Sequence, residues 1–267
     1  RGPDGAAVAV DRAVVTDDFL VLSDDVLAGL GIGPVAVADA IDEAVEIAAR
    51  IVSMDAGGTR FTLAAGGGKA EVNLPLVGRY NVSNALAAAG LCLAGGIGLD
   101  DIVKGLSSPQ AVPGRLEKVE NDKGFSVLID YAHTDDALRN VLAGVKPLCT
   151  GRLIVVFGCG GDRDRTKRPR MARAAEELAD VVIVTSDNPR TEEPGAIIEE
   201  IMTGFEERDT VKVEPDREKA IGLAVREARE GDIVLIAGKG HETYQVLGTE
   251  RIHFSDREVV EKYLGQM

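Results

Sequence analysis

Leu153-Ile-Val-Val-Phe-Gly-Cys-Gly-Gly-Asp-Arg-Asp-Arg-Thr-Lys-Arg-Pro-Arg-Met-Ala-Arg173 is the stretch on which the fold turns. Its first five residues are apolar without a break, the pattern of a strand buried on both faces of a parallel sheet. At Gly158 the character changes. Between Gly158 and Arg173 six Lys and Arg stand against two Asp, a local charge of +4 in a chain whose net charge is −14. A glycine turn that feeds a cationic cluster in an acidic protein points first to capture of an anion.

The same rhythm runs through the sequence from Leu116 onward. Apolar runs at Val127–Ile129, Val181–Val184 and Ile233–Ile236 join Leu153–Phe157 as strands. Helical patterns lie between and after them, at Asp135–Lys146, Pro169–Ala179, Ala196–Phe205 and Arg217–Arg229, with a last helix over about Asp256–Leu264. Strand alternating with helix predicts a parallel sheet with helices on both faces, a doubly wound, Rossmann-like α/β domain. Ligands of such sheets bind beyond the carboxyl ends of the strands. Each of the four strands runs straight into polar residues: Asp130-Tyr-Ala-His-Thr134, Gly158-Cys-Gly-Gly-Asp-Arg-Asp164, Asp187-Asn-Pro-Arg190 and Gly238-Lys-Gly-His-Glu242. Four such loops on one sheet edge mark a site.

Upstream, Ala6–Val10 and Val35–Ala38 read as short strands, and apolar spacing from Ala38 to Val52 reads as a helix. Arg60–Leu63 and Ala70–Leu74 flank Gly66-Gly-Gly68 as a hairpin. Asn81 is placed to cap the helix that follows Gly78-Arg-Tyr80, or else Asn81 and Asn84 could bond the polar edge of a ligand. A second short helix covers about Asp100–Leu106. Ser107-Ser-Pro-Gln-Ala-Val-Pro-Gly114 has two prolines and no periodicity, and reads as a linker. Two domains follow, residues 1–110 and 111–267, which suits a chain of 267 residues.

Composition narrows the classes. The negative net charge argues against a nucleic-acid backbone as partner. Cys92, Cys149 and Cys159 are odd in number and lack metal spacing, as expected in a reducing cytoplasm. No apolar run approaches the length of a membrane span.

The loop residues also suggest a ligand. Arg163 and Arg190 offer planar forks for a carboxylate or phosphate. Glu242 and Asp187 could accept from an ammonium group, and Asn188 can both donate and accept. Together they resemble a receptor for a zwitterion, although Arg190 taken alone could be a surface ion pair. Lys167, Arg168, Arg170 and Arg173 read as a solvated helix face. His133 and His241 follow strands, but no Ser or Cys stands at a nucleophile turn, so neither is assigned to a triad. His253 reads as structural or surface. Gly158-Cys-Gly160 begins like a dinucleotide fingerprint, but Arg163 stands at the third glycine position, where close helix packing needs no side chain.

These loops resemble those of the Mur ligases. The matching residues are Gly78-Arg-Tyr-Asn81, Pro113-Gly-Arg115, Asp130 to Thr134, Gly158 to Pro169, Asp187 to Arg190 and Gly238 to Glu242, in the family's order. The branch that adds the third residue of the peptidoglycan stem peptide resembles the sequence most. The resemblance implies an ATP-dependent acid–amino-acid ligase that joins UDP-N-acetylmuramoyl-L-alanyl-D-glutamate to a diamino acid. In that chemistry ATP phosphorylates the D-glutamate side-chain carboxylate and the amine attacks the acyl phosphate. Asp187-Asn-Pro-Arg190 is similar to the version that selects meso-diaminopimelate, because lysine-adding relatives lack the Arg. Lysine lacks the distal carboxylate and would leave a buried Arg unpaired, at a cost of about 2–5 kcal/mol.

By the resemblance, Arg163, Asp187, Asn188, Pro189, Arg190, Gly238 and Glu242 hold meso-diaminopimelate. Arg115 and Asp130 touch the phosphate and ribose sides of ATP, and Asn81 and Asn84 lie near the adenine. No residue here is expected to be a covalent catalyst or a metal ligand.

The sequence departs from the family in holding no nucleotide P-loop within its 267 residues. Expected Mg²⁺ ligands and the family's UDP-binding domain are also missing. The expectation is therefore an incomplete central ATPase domain followed by a complete amino-acid-binding domain, cytoplasmic and monomeric, unable to turn over alone. A lysine-adding ligase and a non-catalytic amino-acid-binding module are the alternatives.

Overall fold

A computed structural model of the chain describes residues 13–15, 19–22, 47–55, 57–108 and 112–267. Two compact units are present, Arg1–Gln110 and Ala111–Met267.

In the first unit β1 (Ala13–Val15), β2 (Phe19–Leu22), β3 (Ile47–Asp55), β4 (Gly58–Ala65) and β5 (Gly68–Leu74) form an antiparallel sheet in sequence order. Phe61, Leu63 and Ala65 of β4 alternate inward. They join Ile47, Ala49 and Val72 against Val82, Leu86 and Ala89 of α1 (Arg79–Ala94) and Ile102 of α2 (Leu99–Ser107). The expected hairpin and second helix are both present.

Two expectations fail here. The spacing from Ala38 to Val52 reads as helix, yet residues 47–52 are strand; residues 38–46 lie outside the described residues, as do Ala6–Val10 and Val35–Ala38. Backbone pairing on both sides, to β2 and to β4, overrides the local period. Asn81 is also not the helix cap. That place belongs to Gly78, with φ 102°, and Asn81 sits inside the first turn.

The second unit is built on a six-stranded sheet with order β10-β9-β8-β11-β7-β6. The antiparallel edge strand β6 (Glu117–Val119) leads into β7 (Ser126–Asp130). Then follow α3 (Asp135–Val145), β8 (Leu153–Phe157), α4 (Lys167–Leu178), β9 (Val181–Val184), α5 (Pro194–Met202) and β10 (Lys212–Val213). The chain returns through α6 (Arg217–Glu227) to place β11 (Ile233–Ala237) between β8 and β7. A two-stranded hairpin, β12 (Tyr244–Leu247) and β13 (Glu250–His253), precedes α7 (Asp256–Leu264).

Strands β7 to β11 run parallel, as expected. Val127, Ile129, Ile154, Val156, Val234 and Ile236 face one side, against Ala220, Ile221 and Val225 of α6 and Val259 and Val260 of α7. Alternate residues such as Leu128, Val155 and Leu235 are equally buried and point to the opposite side. Helix α4 begins at Lys167, not Pro169, which puts the proline in the first turn, where its missing N–H is no loss. The sheet places the ends of β7, β8, β9 and β11 along one edge.

Candidate functional site

The loop after β8 and the loop after β9 are laced together. Gly161 N donates to Asn188 O at 2.9 Å, and Arg190 Nη1 donates to Gly161 O at 2.7 Å. A Cβ on Gly161 would collide with the carbonyl of Pro189, so only glycine allows this approach. Asp162 accepts from Thr191 N and Thr191 Oγ1, at 3.2 and 2.8 Å.

A second layer reinforces the first. Glu192 accepts from Asp162 N at 2.6 Å and from the fork of Arg168 at 2.9 and 3.0 Å. Arg168 is fully buried and also reaches Glu200 at 2.8 Å. The Arg168 fork, aided by the Asp162 amide, holds the Glu192 carboxyl down at about 2. The reading of Arg168 as part of a solvated helix face is therefore wrong. Its side chain turns under the loops, because two acidic residues on α5 and the segment before it meet its charge. Lys167 and Arg170 also have partners, His133 O at 2.6 Å and Asp135 at 3.0 Å. Arg163 is exposed, with Nη1 donating to Asp162 O at 2.9 Å.

Beside this lacing lies a buried polar cluster. Lys239, fully buried, donates from Nζ to Asn188 Oδ1 at 3.0 Å and to Glu242 Oε2 at 3.2 Å. Asn188 Nδ2 donates to the same Glu242 oxygen at 2.9 Å. Burial lowers the pKa of Lys239 from the usual lysine value, while Asp187 and Glu242 oppose that shift. Asp187 is buried, and its carboxylate accepts no hydrogen bond among the described residues. Gly238, with φ 117°, lets the β11 loop pass Asp187, whose Oδ2 would lie 2.7 Å from a Cβ there.

Arg190 has a left-handed backbone, φ 53°, uncommon for a residue with a side chain. Its conformation is held at both ends by the hairpin: its N–H donates to Val246 O at 3.1 Å, and its C=O accepts from Gly248 N at 2.8 Å. Below the loops Arg217 forks onto Asp256 at 2.7 and 2.8 Å, with both side chains fully buried. The same guanidinium donates to Ala237 O at 3.1 Å, which roots the β11 loop.

At the end of β7 a separate group forms. Asp130 is buried and accepts from Leu116 N and Ala132 N, both at 2.8 Å, which leaves each oxygen one lone pair. Burial raises its pKa above the usual carboxylate value, against those amides and Arg115. Arg115 lies 5.1 Å over the Tyr131 ring, which His133 and His241 flank with centroids at 4.7 and 5.4 Å.

Arg163, Asp187, Asn188, Pro189, Arg190, Gly238 and Glu242 thus stand on the loops that follow β8, β9 and β11, and Arg115 and Asp130 stand at β7. Asn81 and Asn84 belong to the first unit. There Asn81 Nδ2 donates to Val77 O at 2.8 Å and Asn84 Nδ2 donates to Asn81 Oδ1 at 3.4 Å. Sequence reading missed the partners of Lys239 and Arg168 and the hairpin that fastens the main chain of Arg190. The pair of glycines around Lys239 was the available signal, since they let the chain turn that side chain inward.

Anionic and cationic groups at hydrogen-bond spacing, largely buried and beside an Arg fork, can hold a small zwitterion by both of its ends. Residues 114–240 match the family model "Mur ligase, glutamate ligase domain", and residues 28–92 match "Mur ligase middle domain". The chain is 53% identical over 210 residues to a UDP-N-acetylmuramoyl-L-alanyl-D-glutamate–2,6-diaminopimelate ligase from Gloeobacter violaceus, covering 78% of this chain and 43% of that one. A ligase of the same name from Geobacter metallireducens is 47% identical over 251 residues, covering 88% and 49%. The chain thus spans about half the length of the curated relatives it matches. A solved structure of a ligase of that name superposes with TM-score 0.63 at 38% identity, over 85% of this chain and 46% of the other. A folylpolyglutamate synthase from Thermotoga maritima, 23% identical with TM-score 0.56 over 72% of this chain and 44% of that one, shares the fold. The two family matches, the relatives and the geometry agree: the chain belongs to the Mur ligase family.

Proposed function

We propose that this chain serves the ATP-dependent addition of meso-diaminopimelate to UDP-N-acetylmuramoyl-L-alanyl-D-glutamate in peptidoglycan synthesis, and that its second unit receives the diamino acid. The observation that carries this is the buried Asn188–Lys239–Glu242 cluster beside the anchored fork of Arg190. Arg190, with Arg163 at the rim, pairs with one carboxylate of the ligand. Glu242 and Asp187 face an ammonium group, and Asn188 donates to a carboxylate. Pro189 and Gly238 shape the walls. The residues position the amine and balance its charge.

ATP supplies the phosphoryl group that activates the D-glutamate side-chain carboxylate. Arg115 sits toward its phosphates and Asp130, with a lone pair free on each oxygen, toward its ribose. Asn81 and Asn84 are assigned to the adenine. Asn81 gives one Nδ2 hydrogen to Val77 O and takes Asn84 Nδ2 on its Oδ1, so one N–H and one lone pair remain to meet the edge of a base. Among the described residues no group of three or more His, Cys, Asp or Glu could hold a metal ion. Among the described residues no helix is long and apolar enough to cross a membrane. A monomer in the cytoplasm is the proposed state.

Isothermal calorimetry tests the reading. The chain is expected to bind meso-diaminopimelate at least tenfold more tightly than lysine, since an unpaired Arg costs about 2–5 kcal/mol. Arg190→Ala should erase the difference. Equal affinities for the wild-type chain refute the assignment, and a preference for lysine selects the lysine-adding relative instead.

A further inference from the structure

Lys239 lies within the site, yet its fully buried side chain is set apart from the residues assigned to ligand contact. All of its hydrogen bonds go to two of those residues. The polarity of each bond is fixed by chemistry rather than by the placement of an amide. A lysine ammonium only donates, a backbone N–H only donates, and a carboxylate only accepts. Asn188 Oδ1 receives Lys239 Nζ at 3.0 Å and Val246 N at 3.0 Å, so both of its lone pairs are used. Asn188 Nδ2 gives one hydrogen to Glu242 Oε2 at 2.9 Å. Turning the amide over would set two donors against a donor and an acceptor against an acceptor. What Asn188 has left is a single N–H.

Glu242 is fixed by the same cation. Its Oε2 receives Lys239 and Asn188, and its Oε1 accepts no bond among the described residues. Its side chain is 16% exposed, which leaves it a path to solvent or ligand. The Lys239 ammonium also lies 5.5 Å from the centroid of the Tyr244 ring, on the strand that carries Val246. The lysine is thereby held from the β9 loop, the β11 loop and β12 at once. Other charged groups around it are Asp187, which favours its charged form, and Arg217, which opposes it.

We propose that Lys239 is a positioning and specificity-determining residue. It locks Asn188 as a donor and Glu242 as an acceptor, so that the pair reads the carboxylate and the ammonium of one amino-acid end. Without Lys239, Asn188 Oδ1 regains a free lone pair and Glu242 loses its cation. The pair then no longer distinguishes an amino acid from its amide or from a simple amine. This inference rests on the amino-acid reading of the site for its ligand, but the locking itself can be read without one.

The test uses the full 267-residue chain with ¹⁵N-asparagine label. Solvent exchange of the Asn188 side-chain amide is measured without ligand, and meso-diaminopimelate binding is measured by calorimetry alongside the melting temperature. In the wild type the amide should exchange slowly. Lys239→Met, close in length and without a donor, should exchange fast and bind at least tenfold more weakly. Lys239→Gln, which restores one donor to Asn188 Oδ1, should recover slow exchange and most of the affinity. Asn188→Asp keeps the partner for Lys239 but cannot donate, and should also lose at least tenfold in affinity.

Wild-type affinity in Lys239→Met or in Asn188→Asp, with binding intact in the parent, overturns the proposal. So does fast exchange of the Asn188 amide in the wild type. A wild-type chain that exchanges slowly but binds no meso-diaminopimelate refutes the substrate reading and leaves the locking supported. Should Lys239→Met fail to fold, the contrast between Lys239→Gln and Asn188→Asp decides: retained binding in the first and loss in the second supports the lock, and the reverse overturns it.

Discussion

Replacing Glu192 by Gln attacks the brace beneath the two laced loops. The carboxylate takes three charge-assisted bonds, from Asp162 N at 2.6 Å and from the Arg168 fork at 2.9 and 3.0 Å. Glutamine keeps one oxygen, and its NH₂ group then confronts a donor on either side. Removing one partner of a buried ion pair costs about 3–5 kcal/mol. Arg168 keeps Glu200 at 2.8 Å, and the Glu192 side chain is 21% exposed, so the expected loss is about 2–3 kcal/mol.

The loss should also depend on pH. Glu192 titrates at about 2 in the folded chain against 4.5 ordinarily. A depressed carboxyl contributes its full stability above the unfolded value and loses it as pH falls through the folded one. The gap between wild type and Glu192→Gln should therefore be widest above pH 4.5 and close toward pH 2. Urea unfolding followed by far-UV circular dichroism at pH 7, 5 and 3 measures it, because the chain has no Trp. Unfolding free energies within about 0.5 kcal/mol at pH 7 would show that the brace carries no stability. A gap that does not change with pH would show that the charge on Glu192 is not what stabilises it.

Two further outcomes follow from burial. Asp256→Ala strips the fully buried Arg217 of its carboxylate and should cost about 3–5 kcal/mol, while Arg217→Met with Asp256→Leu recovers much of that in the same urea assay. If the double substitution unfolds as easily as Asp256→Ala, the loss lies in packing or in the bond to Ala237 O rather than in the stranded charge. Cys159 is buried and its thiol is pushed up to about 12 by burial, and Cys149 is pushed up to about 11. At pH 8 a disulfide reagent should leave Cys159 untouched in the folded chain and modify it only in denaturant; rapid native labelling of Cys159 would refute the packing of the β8 loop against α4.

The parallel sheet was legible because its strands are short unbroken apolar runs, and a run such as Leu153–Phe157 is buried on both faces. The β4–β5 hairpin was legible from its glycines. Residues 47–52 were not, because a helical spacing of small apolar residues also satisfies a strand once neighbours pair on both sides. The loops announced themselves through their charges, but charge does not reveal depth. Arg168 sits among five other basic residues and looks like one more solvated cation until Glu192 and Glu200, far along the chain, are brought to it. Lys239 hid for a related reason: one of its two partners, Asn188, lies on another loop. The β12–β13 hairpin, whose strands carry mixed polar and apolar residues, gave no periodic signal at all.

That hairpin separates two jobs usually combined in one residue. Arg190 is fastened by its own N–H and C=O to Val246 and Gly248, two bonds that do not depend on its guanidinium. The main chain is the socket and the guanidinium is the bit. On the proposed reading of the site, a change of bit alters which amino acid fits while the main-chain socket is kept, whereas a cut or insertion in residues 244–248 removes the socket itself. On that reading, preference for the ligand's far end is open to change by a single codon, while the seat of the residue that reads it is written in a segment more than fifty residues downstream.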